Sequence, residues 1–387
     1  MYRQQVDRFF GLYPEVFPVG FEQGYKLHDK KESKKMKGLI IRRVKLKNGT
    51  IYEIVPSHIM PYLSGHTQEV SKGLLLRHWG VPYEAIALVL GKNAMYWERQ
   101  EEALGRISLV GSLCKKQGLP AHLAADEKIS FWNGKEVYIA LTASKECVLG
   151  AELSLSEDVE GLQAAYGVFK QEATACQQEY VPISVNLDGW QASNAAWKKL
   201  FPSIVIILCF LHAFLKIRDI GKAMKEQFQQ VSSKLWDCYR EKTKQDFTQS
   251  LISLQVWAEL NLQAYEKVKA KVKDLCAKSA RFAIAYEFDT CYRTSNQIDR
   301  PMNVLDRYLY QMRYFKGSRQ AANQKVRAWA MLYNFVPFSL RVQNRKDTPK
   351  KKSRFEDYNG FSYHQDWLQN LLIASSLNGS ISCHIKR

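Results

Sequence analysis

The sequence lacks any apolar run long enough to cross a bilayer. The longest, Ile204 to Leu211, is followed at once by His212 and soon by Lys216. About 20 apolar residues are needed to span, so this run reads as a buried strand and no membrane partner is expected. The opening Met1-Tyr2-Arg3-Gln4-Gln5 starts no signal peptide. The eight cysteines are scattered over 387 residues without a Cys-x-x-Cys pair, a pattern of reduced thiols in a cytoplasm, not a disulfide framework. Low-complexity tracts and internal repeats are missing too. Acidic residues are scarce, 38 against 56 Lys and Arg, for a formal net charge of +18. With 46% hydrophobic and 12% aromatic residues, the chain can bury a core and is no disordered polycation. The charge therefore points to a nucleic-acid partner.

The charge is uneven. His28 to Thr50 carries nine Lys and Arg, Arg42 and Arg43 among them, against two acids. Lys316 to Phe355 carries eleven, including Lys316 and Arg319, against one acid. The rest of the chain is nearly balanced. Lys350 to Arg354 reads equally as a solvated charge run. Lys316 to Arg327 interleaves with Tyr314, Phe315 and Trp329, which places it on a folded surface.

Four parts are expected. Residues 1–66 form a small basic β-containing unit, in which Val44 to Lys47 and Ile51 to Ile54 alternate around Asn48-Gly49, a type I′ hairpin signal. Residues 67–115 read as three short helices, the first capped by Thr67, with breaks at Gly80-Val81-Pro82 and Gly91-Lys92-Asn93. A helix, a tight turn and a helix bearing Lys92, Asn93, Tyr96, Trp97, Arg99 and Gln100 have the layout of a helix-turn-helix. Residues 116–345 are α/β in the order β-β-β-α-β-α-β, which gives a mixed sheet flanked by helices. Residues 213–290 read as helical. A last amphipathic helix carries Met302, Leu305, Leu309 and Met312, with Pro301 suited to its first turn. Residues 346–387 form a basic C-terminal tail. Trp190, Trp197 and Trp329 read as core.

Three acids stand out by position. Asp126 begins the first strand of this order, Asp188 ends the fourth, and Asp299 precedes the last helix. The first and fourth strands can be neighbours, so these carboxylates can converge on a site for hard divalent cations, two Mg²⁺ or Mn²⁺ ions. Taken singly, each also fits a turn or a helix cap. Glu127 alternates to the opposite face and reads as structural. Cys209 and His212 form half of a zinc site that Cys383 and His384 could complete; the other reading is a buried thiol and a hydrogen-bonded imidazole.

From Asp126 to about Phe338 the sequence resembles the DDE-type transposases with an RNase H-like core, most closely the Mutator-like branch of bacterial insertion sequences. The densest part holds Asp188-Gly189, Phe201-Pro202, Cys209-x-x-His212 and Lys216-Ile217-Arg218. Farther on, Thr294-Ser295-Asn296-Gln297-Ile298-Asp299 resembles the family's Thr-Asn-x-Ile-Glu. The resemblance implies that Asp126, Asp188 and Asp299 are the catalytic, metal-holding acids, with Cys209 and His212 supporting the edge of the site, and that residues about 213–290 are an α-helical insertion before the last catalytic helix. The third acid is Asp where the family usually has Glu, and Asn303 lies four residues beyond it instead of three. Asp306 is therefore the second candidate for that place and Asp289 the third. The implied protein is a bacterial, nucleoid-associated transposase. It would cleave double-stranded DNA at terminal inverted repeats and join it to target DNA, as a homo-oligomer. A non-catalytic DNA-binding protein descended from a transposase, or an RNase H-like nuclease, are the alternatives.

Overall fold

The chain opens with helix α1 (Tyr2–Leu12) and a three-stranded antiparallel sheet, β1 (Tyr25–Glu32), β2 (Ile40–Leu46) and β3 (Ile51–Ile54). The computed structural model describes residues 2–344 and 351–380. The hairpin at Asn48-Gly49 forms, with Val44 opposite Tyr52 and Lys45 opposite Ile51. Its turn is not the expected type I′. Gly49 alone is left-handed, at φ 89°, and donates its N–H to the Leu46 carbonyl. The Asn48 side chain accepts the Thr50 N–H at 3.0 Å, so Asn48 closes the loop locally without the positive φ that type I′ demands. Val6, Phe21, Tyr25, Val44 and Leu46 form a small core beneath this sheet.

Three short helices follow, α2 (Thr67–His78), α3 (Tyr83–Leu90) and α4 (Ala94–Leu104), then α5 (Leu109–Leu113). His66, not Thr67, takes the cap position of α2; Thr67 is buried inside the first turn with its hydroxyl unpartnered. Trp97 lies against Gly73, where an added Cβ would stand 2.2 Å from the indole. Between these helices Arg77 and Glu101 form a buried ion pair at 3.1 Å.

The central sheet is built from β4 (His122–Trp132), β5 (Lys135–Ser144), β6 (Cys147–Ser154), β7 (Ser184–Leu187) and β8 (Val205–Leu208), with α6 (Val159–Cys176) and α7 (Gln191–Leu200) between the later strands. Their order across the sheet is β6-β5-β4-β7-β8. The first three strands form an antiparallel meander, and β7 and β8 run parallel to β4. The first and fourth strands are thus neighbours, as the element order implied. Ala124 pairs with Asn186, so two residues on Asp126 is level with Asp188. Asn186 pairs with Ile207, which puts Cys209 at the same level.

The helical insertion, α8 (Phe210–Gly221), α9 (Glu226–Arg240), α10 (Lys244–Asn261), α11 (Glu266–Ala277) and α12 (Ser279–Ala283), has a core of its own around Phe214, Leu235, Phe247 and Val272. The chain then returns to the sheet with α13 (Asn296–Met312), α14 (Arg319–Phe335), α15 (Leu340–Gln343), α16 (Arg354–Asn359) and α17 (Trp367–Ala374). Helix α13 packs on β4 and β5, and α14 on β6 and α4. Asp299 lies in the first turn of α13, not before the helix, and Pro301 falls inside it, not in its first turn, because the helix already begins at Asn296; the Gln297 carbonyl thereby loses its usual donor.

Trp197 and Trp329 are fully buried as expected, and Trp190 packs partly buried against the same core. That core also takes in Val70 and Leu74 from α2, and Phe355, Tyr358, Trp367 and Leu371 from the expected tail. The described part of that tail is therefore folded structure, its aromatic residues outweighing its charge. Arg345, Lys346 and Lys350 lie outside the described residues. Among the described residues no helix is long and apolar enough to cross a membrane.

Candidate functional site

The ends of β7 and β8, and the middle of β4, which starts at His122 and not at Asp126, meet the starts of α8 and α13. Three cross-links fix this junction. Asn186 donates its side-chain N–H to the Tyr292 carbonyl at 3.0 Å. Phe210 N–H bonds the Arg293 carbonyl at 3.1 Å. Ser295 N–H bonds the Cys209 sulfur at 3.0 Å. The first turn of α13 is thereby held beside the first turn of α8, and Asp299 comes next to His212.

Asp126, His212 and Asp299 each offer one ligand atom, and these atoms all lie within 4.8 Å of one another. They come from a strand and two helices. Asp126 accepts the adjoining Glu127 N–H at 2.9 Å, and Asp299 accepts the Ser295 hydroxyl at 2.8 Å. Glu127 points the other way, toward α6 and α7, where it accepts the Tyr166 hydroxyl at 2.7 Å and the Ser193 hydroxyl at 2.6 Å.

The electrostatics follow from this placement. Burial, then the charges of Asp188 and Asp299, push the Asp126 carboxyl up to about 7, against the pull of the Glu127 N–H. The Cys209 sulfur raises the pKa of the His212 imidazole; burial opposes this, and Asp299 and Asp188 reinforce it. The buried Nδ1 of His212 meets no partner at hydrogen-bonding geometry. Two carboxylates short of donors and an imidazole with an orphaned nitrogen fit a divalent cation, which would reverse the repulsion that raises the Asp126 pKa.

The three expected acids do not form the compact group by themselves. Asp188 sits where β7 turns into α7, with Gly189 left-handed at φ 100° and one carboxylate oxygen accepting the Trp190 N–H at 2.7 Å. Its charge reaches Asp126 and His212, but His212 takes the third place. The sequence puts His212 with Cys209 as support for the edge of this site, not among its metal-holding residues. The usable signal was their position, since a Cys-x-x-His that straddles the end of a core strand sets its histidine on the first helical turn above the sheet edge. Cys209 is buried with a free thiol and joins no metal-ligating group among the described residues. Cys383 and His384 lie outside the described residues. Asp306 is exposed and pairs with Lys128 at 2.6 Å, and Asp289 is exposed.

The basic candidates divide. Lys92, Arg99, Lys316 and Arg319 are exposed. Asn93 caps α4, accepting the Tyr96 N–H at 2.7 Å, and Tyr96 is partly buried. Arg43 is engaged by Asp29, its Nε 2.6 Å from the carboxylate, and Arg42 lies 4.8 Å over the Tyr2 ring. No protein-family model matches the chain, and no curated protein matches it.

Proposed function

We propose that the protein is a metal-dependent DNA transposase, with an RNase H-like core of the Mutator-like kind. The observation that carries this reading is the meeting of Asp126, His212 and Asp299 within 4.8 Å at the edge of the sheet where Asp188 also lies. The sheet supports it: three antiparallel strands, then two parallel ones beside the first, with one acid on the central strand and another just past its parallel neighbour. The +18 charge suits a polyanionic substrate.

Bound Mg²⁺ or Mn²⁺ would activate a water or a 3′-hydroxyl and stabilise the leaving oxygen of a phosphodiester. Asp126 and Asp299 supply the carboxylates, Asp188 adds negative charge from the strand end, and Ser295 fixes the orientation of Asp299. The imidazole of His212 favours Mn²⁺ over Mg²⁺. Lys92 and Arg99, exposed at α4, would hold phosphates in a helix-turn-helix docked on the terminal inverted repeats, with two copies of the chain on paired ends.

A labelled inverted-repeat end taken from the DNA flanking the gene tests the proposal. Nicking in Mn²⁺ by the wild type, lost in Asp126→Asn and Asp188→Asn with end binding kept, is expected. Retained cleavage in those variants sinks the assignment. A non-catalytic DNA-binding protein of transposase descent is the second reading, favoured by Asp188 turning to the Trp190 N–H. Binding without nicking by the wild type would select it.

A further inference from the structure

Beyond Asp126 the central strand β4 loses its parallel neighbour, since its pairing with β7 covers only His122 to Ala124. A groove of about 420 Å³ opens there against α13, lined by Lys128, Phe131, Asp306, Arg307, Tyr310 and Tyr314 among others. Tyr310 is 79% exposed, Tyr314 40% and Phe131 39%. In a protein with 20 Tyr and 18 Phe, most aromatic rings are packed away, so three open ones in one groove need an account.

The groove is built, not frayed. Arg313 and Tyr314 are both left-handed, at φ 52° and 64°, and end α13 abruptly. Tyr314 N–H returns to the Leu309 carbonyl at 3.1 Å, and Phe315 N–H bonds the Phe131 carbonyl at 3.0 Å. These bonds hold the Tyr314 ring edge-on to Phe131, with centroids 5.2 Å apart. Lys128 and Arg307 line the same groove, and Arg313 and Lys316, one residue before and two after Tyr314 in the chain, are exposed. Among the described residues Asp306 pairs with Lys128.

Its position is specific. The two elements that form it, β4 and α13, are those that carry Asp126 and Asp299. Eleven residues of helix separate Asp299 from Tyr310, about 16 Å at 1.5 Å per residue. That is roughly five stacked base steps at 3.4 Å. Gln311, also in the lining, abuts Gly80 at the turn after α2, so the groove lies between the acid cluster and the three short helices.

We infer that this groove is a stacking site for unpaired bases of the DNA strand presented to the acids, with the basic side chains holding its phosphates. Aromatic faces accept any base, and cations beside them follow the backbone. An apolar peptide would fill the same rings but leave Arg307, Arg313 and Lys316 without counter-charge. The inference rests on the nucleic-acid reading of the acid site.

The test is fluorescence anisotropy on the full chain, with a labelled single-stranded oligo-dT of about 12 nucleotides and a blunt duplex of equal length. Tyr310→Ala is expected to weaken single-strand binding roughly 5- to 100-fold, the range of one base–aromatic stack. Duplex affinity should change far less, and Tyr310→Phe, which keeps the ring, should bind like wild type. Tyr314→Ala, away from α13's packed face, should act in the same direction. Unchanged single-strand affinity, an equal loss on both DNAs, or no single-strand binding by the wild type overturns the inference. Failure of the enzymatic reading shows separately: a protein that binds oligo-dT through Tyr310 yet nicks no DNA in Mn²⁺ keeps the groove and loses the transposase.

Discussion

Asp126 and Glu127 are neighbours on one strand but face different regions. Burial pushes both carboxyls up to about 7, although each keeps part of its surface open. On the α6–α7 side Glu127 receives two hydroxyl donors, Tyr166 and Ser193. On the α8–α13 side Asp126 receives one adjoining backbone N–H and faces Asp299, His212 and the charge of Asp188. A buried carboxylate satisfied by donors belongs to the fold. One surrounded by other acids is poised for a cation. Depth and titration alone do not separate the two; their partners do.

The largest expected effect separates the faces outright. Asp126→Asn should weaken Mn²⁺ binding by more than the roughly 100-fold typical of outer-shell partners. The metal-free protein should hold or gain stability at pH 8, since a repelled charge is gone. Calorimetric Mn²⁺ titration and a thermal melt read both, and an undiminished metal response would break the comparison. Glu127→Ala should do the reverse. It orphans two buried hydroxyls, for a loss of about 2–4 kcal/mol in urea unfolding, with Mn²⁺ affinity unchanged.

A pH series sharpens the same contrast. The folded pKa of Asp126, about 7, stands above its ordinary 3.8, so the folded state holds the proton more tightly. That stabilisation is fully present below 3.8 and is lost as pH rises through about 7. Glu127 adds in the same direction. Metal-free stability should therefore fall between about pH 4 and 7, and Mn²⁺ affinity should rise as pH approaches about 7 and level off above it. Flat profiles would contradict the geometry. The smallest effect is Asp306→Asn. It breaks an exposed pair with Lys128 and should change stability by under about 1 kcal/mol, with Mn²⁺ binding untouched.

Much of this arrangement was legible in the sequence. The element order set β4 beside β7, and alternation along β4 sent Asp126 and Glu127 to opposite faces. The bounds of α2, α3 and α4 followed from Gly80-Val81-Pro82 and Gly91-Lys92-Asn93. What escaped depends on contacts between distant segments. His212 stands among the acids, and not only at the edge of their site, because Ser295 is bonded to Cys209 across 86 residues. Asp188 turns to the Trp190 N–H because Gly189 permits the bend. Residues 351–380 join the core because Phe355 and Trp367 find sites made by α14 and α2, which no local charge count reveals.

The central claim is that Asp126, His212 and Asp299 hold a divalent cation. Crystals soaked in Mn²⁺ and measured for anomalous scattering test it directly. A peak within coordination distance of all three side chains, absent in Asp126→Asn, is expected. A clean map there, or a peak held without Asp126 and Asp299, would contradict it.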